Sequence, residues 1–356
     1  MDKEKPGRGL RGRGAATNTS SRFLEWTREA QLDDDTPPAS RVPTMLFDDR
    51  AKTVISWNRS PDIPFDRSVN PAKGCEHGCI YCYARPIHAY LGLSPGLDFE
   101  TKIFVKRDAA AVLRAELSRP GYRAGVLALG AATDPYQPFE RELGITRQIL
   151  EVLAEFGHPV SVTTKGALVE RDIDILAPMA AQGLAQVNVS LPTLDPELAR
   201  RLEPRATAPH RRVETLRRLA EAGIPTAVLV APVIPALTDH EIEHILETAA
   251  AAGVSQAAYV LLRLPLEVRE LFVDWLEQHY PDRARHVMSL VQQARGGRDN
   301  DPGFGSRMRG SGTYADLIRQ RFHLACRRNR LNERTLDLRT DLFRRPDPPS
   351  PQLALF

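Results

Sequence analysis

The sequence contains no apolar run approaching the roughly 18 residues that a membrane-spanning helix requires. No membrane partner is therefore expected. The N-terminal "MDKEKPGRGLRGRG" is basic and glycine-rich but has no apolar stretch behind it, so it does not read as a secretory signal, and the expected compartment is the cytoplasm. Cysteine is scarce: four in 356 residues, three of them clustered and one distant. That is not the even framework of a secreted disulfide scaffold, and in a reducing compartment such thiols bind metal or do chemistry. Neither sign of charge dominates. With 48 Lys and Arg against 45 Asp and Glu, the net charge of +3 does not by itself argue for a nucleic-acid partner. Arg8, Arg11 and Arg13 lie among glycines, and the C-terminal third carries "RQRFHLACRRNRLNERTLDLRTDLFRR". Each stretch alone reads as a solvated tail or charged helix face before it reads as a phosphate contact.

With 42% hydrophobic and 26% charged residues, the chain has an ordinary soluble composition. Its length suits one large domain with additions, or two domains. Residues 1–45, rich in Gly, Arg, Ser, Asp and Pro, are expected to form a flexible arm. Within residues 46–262, short β-branched runs alternate with longer segments of helical periodicity. The strand candidates are 67–71, 125–130, 159–164, 186–191, 226–231 and 256–262. The helical candidates span 139–157, 168–183, 208–223 and 238–253, each closing on glycine. Six alternations predict an α/β fold with a parallel sheet, because parallel neighbours need crossover connections. An open doubly wound sheet and an incomplete barrel both satisfy that count. Residues 263–343 read as a helical C-terminal extension and 344–356 as a tail.

Cys75, Cys79 and Cys82 in "NPAKGCEHGCIYCYARP" follow C-x3-C-x2-C. Structural zinc prefers four protein ligands, usually as two short pairs. The second pair is absent here, Cys326 lies about 240 residues away, and His77 between two of the cysteines would make a cramped chelate. An iron–sulfur cluster fits better, since thiolates of a short loop can each reach a different iron. Three ligands on four irons leave one iron open to a small molecule.

This motif, with Tyr81 before the last cysteine and the first strand of a repeated β/α array ahead of it, resembles the radical S-adenosylmethionine (SAM) superfamily. "TDPYQPFE", "TTKGALVERDIDIL", "LEPRA" and "AGIPTAVLVAPVIPALTD" resemble its spore-photoproduct-lyase-related, DNA-repair-photolyase-like branch. The resemblance implies a partial (β/α)6 barrel of the TIM type and a [4Fe-4S] cluster on Cys75, Cys79 and Cys82, with SAM as second cofactor. It further implies an electron donor such as flavodoxin or ferredoxin, and reductive cleavage of SAM to a deoxyadenosyl radical that abstracts hydrogen from substrate. A lyase-like reaction and a nucleic-acid substrate are its candidates. A non-catalytic iron–sulfur or zinc protein binding nucleic acid through its basic ends is the alternative. Spore photoproduct lyases carry a hydrogen-donating cysteine just ahead of "TDP", where this chain has Ala131 and Ala132. The resemblance therefore implies a related enzyme without naming its substrate.

Barrel sites collect at the C-terminal ends of the strands. Thr133 and Asp134 lie there as turn residues or SAM contacts, and Lys165 as a partner for the SAM carboxylate or a solvent-facing lysine. Asn188 and Ser190 alternate with Val187 and Val189 and so share one strand face, the lumen in a barrel, where ribose hydroxyls would satisfy them. Arg205 could take a carboxylate or pin a loop to Glu203. Tyr81, Tyr83 and Tyr136 could stack on adenine or a base, or simply pack. His77 and His88 read as supports behind the ligating residues or as structural side chains rather than as ligands. Cys326 shares a helical face with Ile318, Phe322 and Ala325 and reads as core.

Overall fold

The computed structural model describes residues 12–19, 21–23 and 42–346. Ten strands are present among them: β1 (Met45–Asp48), β2 (Ile55–Trp57), β3 (Arg67–Val69), β4 (Ala72–Lys73), β5 (Lys102–Val105), β6 (Leu127–Leu129), β7 (Val160–Thr164), β8 (Ala185–Ser190), β9 (Thr226–Val233) and β10 (Gln256–Leu261). Seven make one sheet in the order β10-β9-β8-β7-β6-β3-β2. Its six strands from β3 to β10 run parallel, and β2 pairs antiparallel on the outer edge. These six are the strands expected from the alternation, and with their crossover helices they give the expected α/β class with a partial (β/α)6 barrel.

The crossovers include α1 (Ala109–Leu117), α2 (Ile145–Glu155), α3 (Ile173–Ala181), α4 (Pro209–Glu221) and α5 (Ile242–Ala251). Each places an apolar stripe on the sheet. In α2, Ile145, Ile149, Leu150, Val152 and Leu153 are buried against strand residues such as Val160, Val162, Val187 and Val189. Truncating one of these to alanine costs about 2–5 kcal/mol, so the stripe commits the helix to the sheet. The helix expected over 139–157 is interrupted. Gly144 takes φ 63° and separates Glu140–Leu143 from α2, and the buried Glu140 carboxylate accepts from the N–H groups of Ile145 and Thr146 at 3.1 and 2.9 Å. A cap built from five or six residues upstream is invisible to periodicity. Likewise, the segment expected to be helical from 168 opens with a 3-10 turn over Ala167–Asp172 before α3 begins.

A small second sheet of order β1-β5-β4 flanks the cysteine loop. Its strands are two to four residues long, too short for a periodic signal. The C-terminal extension contains α6 (Val268–His279), α7 (Pro281–Gln293) and α8 (Gly312–Arg328). Beyond α8 the chain runs under the N-terminal ends of the strands. Ala257 N–H donates to Asn332 Oδ1, Arg339 N–H to Gly183 O and Arg344 N–H to Phe156 O, while Arg345 reaches the carbonyls of Arg119, Pro120 and Tyr122. Arg344 and Arg345, expected in the tail, are therefore bonded to the sheet domain. Residues 347–356 of that tail, and 1–11, 20 and 24–41 of the expected arm, lie outside the described residues. No helix of the described residues is long and apolar enough to cross a membrane.

Candidate active site

The cysteine loop leaves β4 at the end of the sheet to which the strand C-termini point. Its backbone folds in successive tight turns, with Gly78 N–H donating to Cys75 O, Cys82 N–H to Cys79 O and Arg85 N–H to Cys82 O. Arg85, wholly buried, holds the turns from behind. Its guanidinium donates to the carbonyls of Cys79, Gly78, Pro95 and Gly96 at 2.9–3.1 Å and pairs with Glu100 Oε1 at 2.5 Å. Glu100 also accepts from the N–H groups of Gly14 and Ala15, both at 2.9 Å, and Arg13 donates to the Glu100 carbonyl at 2.8 Å. Residues 13–15, within the segment expected to be a flexible arm, are thus fastened over the loop. Backbone N–H groups seeking a buried carboxylate supply the ordering that composition alone does not.

All four cysteines are free; Cys75 and Cys79 are buried and Cys82 is partly exposed. Burial pushes all three loop thiols up, Asp134 adds to the effect at Cys75 and Glu203 at Cys79, while Lys165 opposes it at Cys79 and Cys82. Facing the loop, Asp134 accepts from Tyr136 N–H, the Thr164 hydroxyl and Lys165 N–H at 2.6–2.9 Å. His77 Nδ1 lies 3.3 Å from Asp134 Oδ2, within ion-pair range though without hydrogen-bond geometry. Burial alone would raise the Asp134 carboxyl. The nearby His77 ring and the donated bonds outweigh it and hold it at about 2.

Lys165 Nζ donates to Ser190 Oγ at 2.5 Å and stands 3.6 Å from Glu203 Oε1. Glu203 is buried between Tyr81 OH, which donates to it, and the Arg212 guanidinium. Burial opposes its ionisation, but Arg212 first and Lys165 second hold the carboxyl below its usual range. Arg212 stands closer to Glu203 than Lys165 does. Asn188 Nδ2 donates to Ser161 Oγ and Val162 O, and Gln186 Nε2 also reaches Ser161 Oγ, so one face of β7 and β8 is polar, while Val187 and Val189 point into the apolar core.

The fold brings Cys75, Cys79, Cys82, Tyr81, Asp134, Lys165 and Ser190 together, with Asn188 one pleat deeper. Thr133 Oγ1 donates to Ala72 O at 2.7 Å, a bond that ties the β6 turn to β4. Arg205 pairs with Glu76 at 3.1 Å, and Glu203 belongs to Arg212 instead. Tyr136 is buried, donating to Asp172, and His88 packs edge-on against Phe99. Cys326 is buried among Ile318, Phe322 and Ala325. Sequence reasoning missed Arg85, Glu100, Glu76, Arg212 and Gln137, whose side chain accepts from Glu76 N–H at 2.8 Å and donates to Gly74 O at 3.2 Å. For Arg212 a signal existed, because it shares a helical face with Thr215, Leu216 and Leu219, and a charge on a buried stripe requires a partner.

The model of the radical SAM superfamily matches residues 69–249. The chain belongs to the radical SAM superfamily. It is 40% identical over 233 residues to an uncharacterized protein of Mycobacterium tuberculosis, covering 65% of this chain and 68% of that one. A radical SAM Nalpha-GlyT isomerase of Pseudomonas phage M6 is 23% identical over 226 residues, 63% of this chain and 45% of the phage protein. Spore photoproduct lyase complexed with dinucleoside spore photoproduct superimposes with a TM-score of 0.56 at 16% identity, covering 80% of this chain and 79% of that one, a likeness of fold. Membership implies SAM, an iron–sulfur cluster and an electron donor for this radical SAM protein. The residues fit a cluster: three free thiols sit on one braced loop, and the partly exposed Cys82 is the thiol nearest solvent. Among the described residues no three His, Cys, Asp or Glu side chains converge on one point, as a single four-coordinate metal ion requires. A cluster whose irons each take one thiolate has no such requirement.

Proposed function

We propose that Cys75, Cys79 and Cys82 hold a [4Fe-4S] cluster and that the protein is a radical SAM enzyme acting on a nucleic acid. A cluster held on Cys75, Cys79 and Cys82 would supply the single electron for reductive cleavage of a bound SAM, the source of a hydrogen-abstracting deoxyadenosyl radical. Lys165 binds the SAM carboxylate, and Ser190 and Asn188 offer hydroxyl and amide partners to its polar atoms. Tyr81, locked by Glu203, walls the site. Asp134 and Thr133 position Lys165 and the cluster loop, and Arg205 positions Glu76 and through it the loop backbone. The observation that carries this reading is the meeting of three free thiols with Lys165 and Ser190 at the strand C-termini of a superfamily fold. The nucleic-acid assignment is supported by the structural neighbour, a lyase complexed with dinucleoside spore photoproduct, while Ala131 and Ala132 separate this chain from a thiol-based reversal.

The test is anaerobic reconstitution followed by reduction in the presence of SAM. About four irons per chain and formation of deoxyadenosine are expected from the native sequence, and loss of deoxyadenosine from Cys82→Ala. A colourless protein holding one zinc, or undiminished deoxyadenosine from Cys82→Ala, would overturn the assignment.

A further inference from the structure

The loop between α7 and α8 joins the two edges of the open sheet. At one edge Leu261 N–H, at the end of β10, donates to Met308 O. The buried Arg295 donates to the carbonyls of Leu261, Leu262, Ser306 and Arg307 at 2.7–3.1 Å, binding loop to strand. At the other edge Asp62, in the turn between β2 and β3, accepts from Gly305 N–H and from Arg307, which also reaches Ser60.

Beside this bridge lies Arg263, just past β10. Its guanidinium sits 5.8 Å from the centre of the Tyr83 ring, next to Cys82 in sequence, and 3.6 Å from Met308 Sδ. Its Nε is buried without a hydrogen-bond partner, and it forms no ion pair with a described carboxylate. The neighbouring charges do not balance it. Arg295 and Arg307 stand close by, Asp62 is committed to Arg307, and Asp301 is committed to Ser306 and Gly303 N–H. Burial comes first in depressing both Arg263 and Arg295; the Arg307 charge adds to the effect at Arg263, and the Arg263 charge adds to it at Arg295, which falls to about 10. A half-buried, unpaired guanidinium is unfavourable unless an anion completes it. Two exposed rings belong to this region: Tyr83, 51% exposed, beside Arg263, and Phe304, 64% exposed, 4.7 Å beneath the neighbouring Arg307. Guanidinium beside exposed aromatic rings suits a nucleotide, with phosphate on the cation and base on a ring.

We propose that Arg263 binds a nucleotide phosphate of the substrate, with Tyr83 and Phe304 as stacking faces, held in place by the Arg295 and Arg307–Asp62 bridge. The role as substrate site rests on the radical SAM reading; phosphate binding itself does not. Binding of dithymidine monophosphate, its uncharged methylphosphonate analogue and thymidine 5′-monophosphate is measured by calorimetry on cluster-loaded protein at fixed low salt, without SAM or reductant. The charged probes are expected to bind the native sequence at least about tenfold more tightly than the methylphosphonate, and Arg263→Gln is expected to remove that difference while Arg263→Lys keeps part of it. Dithymidine monophosphate at least about tenfold tighter than the mononucleotide assigns the phosphate to a strand; equal affinities assign it to a free nucleotide. Equal binding of charged and uncharged dinucleotides by the native sequence, binding of no probe at millimolar concentration, or a charge preference unchanged in a folded Arg263→Gln would overturn the proposal. Should Arg263→Gln not fold, the native comparison still decides. Deoxyadenosine formation is a separate measurement, so failure of the radical reading and failure of this site are told apart.

Discussion

Arg85 and Glu100 form an ion pair with no solvent exposure on either side chain, directly behind the cysteine loop. Removing one partner strands the other as a buried charge, a loss of about 3–5 kcal/mol. Arg85→Met is therefore expected to lower the urea midpoint by a corresponding amount and to reduce the iron retained per chain after reconstitution. Wild-type iron content in a destabilised variant would show that the pair stabilises the fold without shaping the loop. The three cysteines were legible in sequence because thiol spacing reports directly on ligation. Arg85 and Glu100 were not, since they are fifteen residues apart with a 3-10 turn between them, and charged residues are normally exposed. The same holds for Glu203: its neighbour in sequence, Arg205, is the obvious partner, yet chain direction turns Arg205 toward Glu76 and α4 delivers Arg212 instead.

Among the elements, the segment around Gly14 is held by close backbone approach. A Cβ on Gly14 would stand 1.9 Å from the Gly78 carbonyl oxygen, so a side chain there cannot be accommodated without moving the segment or the loop. Gly14→Ala is expected to forfeit the two N–H bonds to Glu100, cost about 1–3 kcal/mol, and make the peptide bonds of residues 12–19 newly sensitive to limited proteolysis. An unchanged digestion pattern would refute this. The strands and crossover helices followed from periodicity because each buries one face or stripe over several residues. The second sheet did not, because β1, β4 and β5 bury too few residues apiece to generate a period.

Over the full fold, the segment after α8 ties the strand N-termini together far from the cysteine loop, and His158 lies under it. The ring is fully buried, with Phe343 edge-on at 5.7 Å. Nδ1–H donates to Pro159 O at 3.0 Å, and Nε2 accepts from Tyr122 OH at 2.8 Å, which in turn accepts from Arg67. Burial pushes the imidazole down to about 4, and the nearby Arg67 charge pushes the same way. The unfolded chain takes up this proton near pH 6.5 and the folded one only near 4, so the contribution is complete above pH 6.5 and is lost as pH falls toward 4, by up to about 3 kcal/mol. His158→Gln should flatten the stability profile of that window, read by denaturant melts at about pH 7.5, 6, 5 and 4; an equally steep fall in the variant would assign the acid sensitivity elsewhere. Period and spacing are local properties of the chain, and they were enough for the parallel α/β class, the six strands and the thiol triplet. Only folding in three dimensions settled which charges meet, that residues 13–15 close over the loop, and that Arg263 has no carboxylate partner among the described residues. Those depend on groups far apart in the chain, brought within a few ångströms only when burial forces each charge to find a partner or go without one.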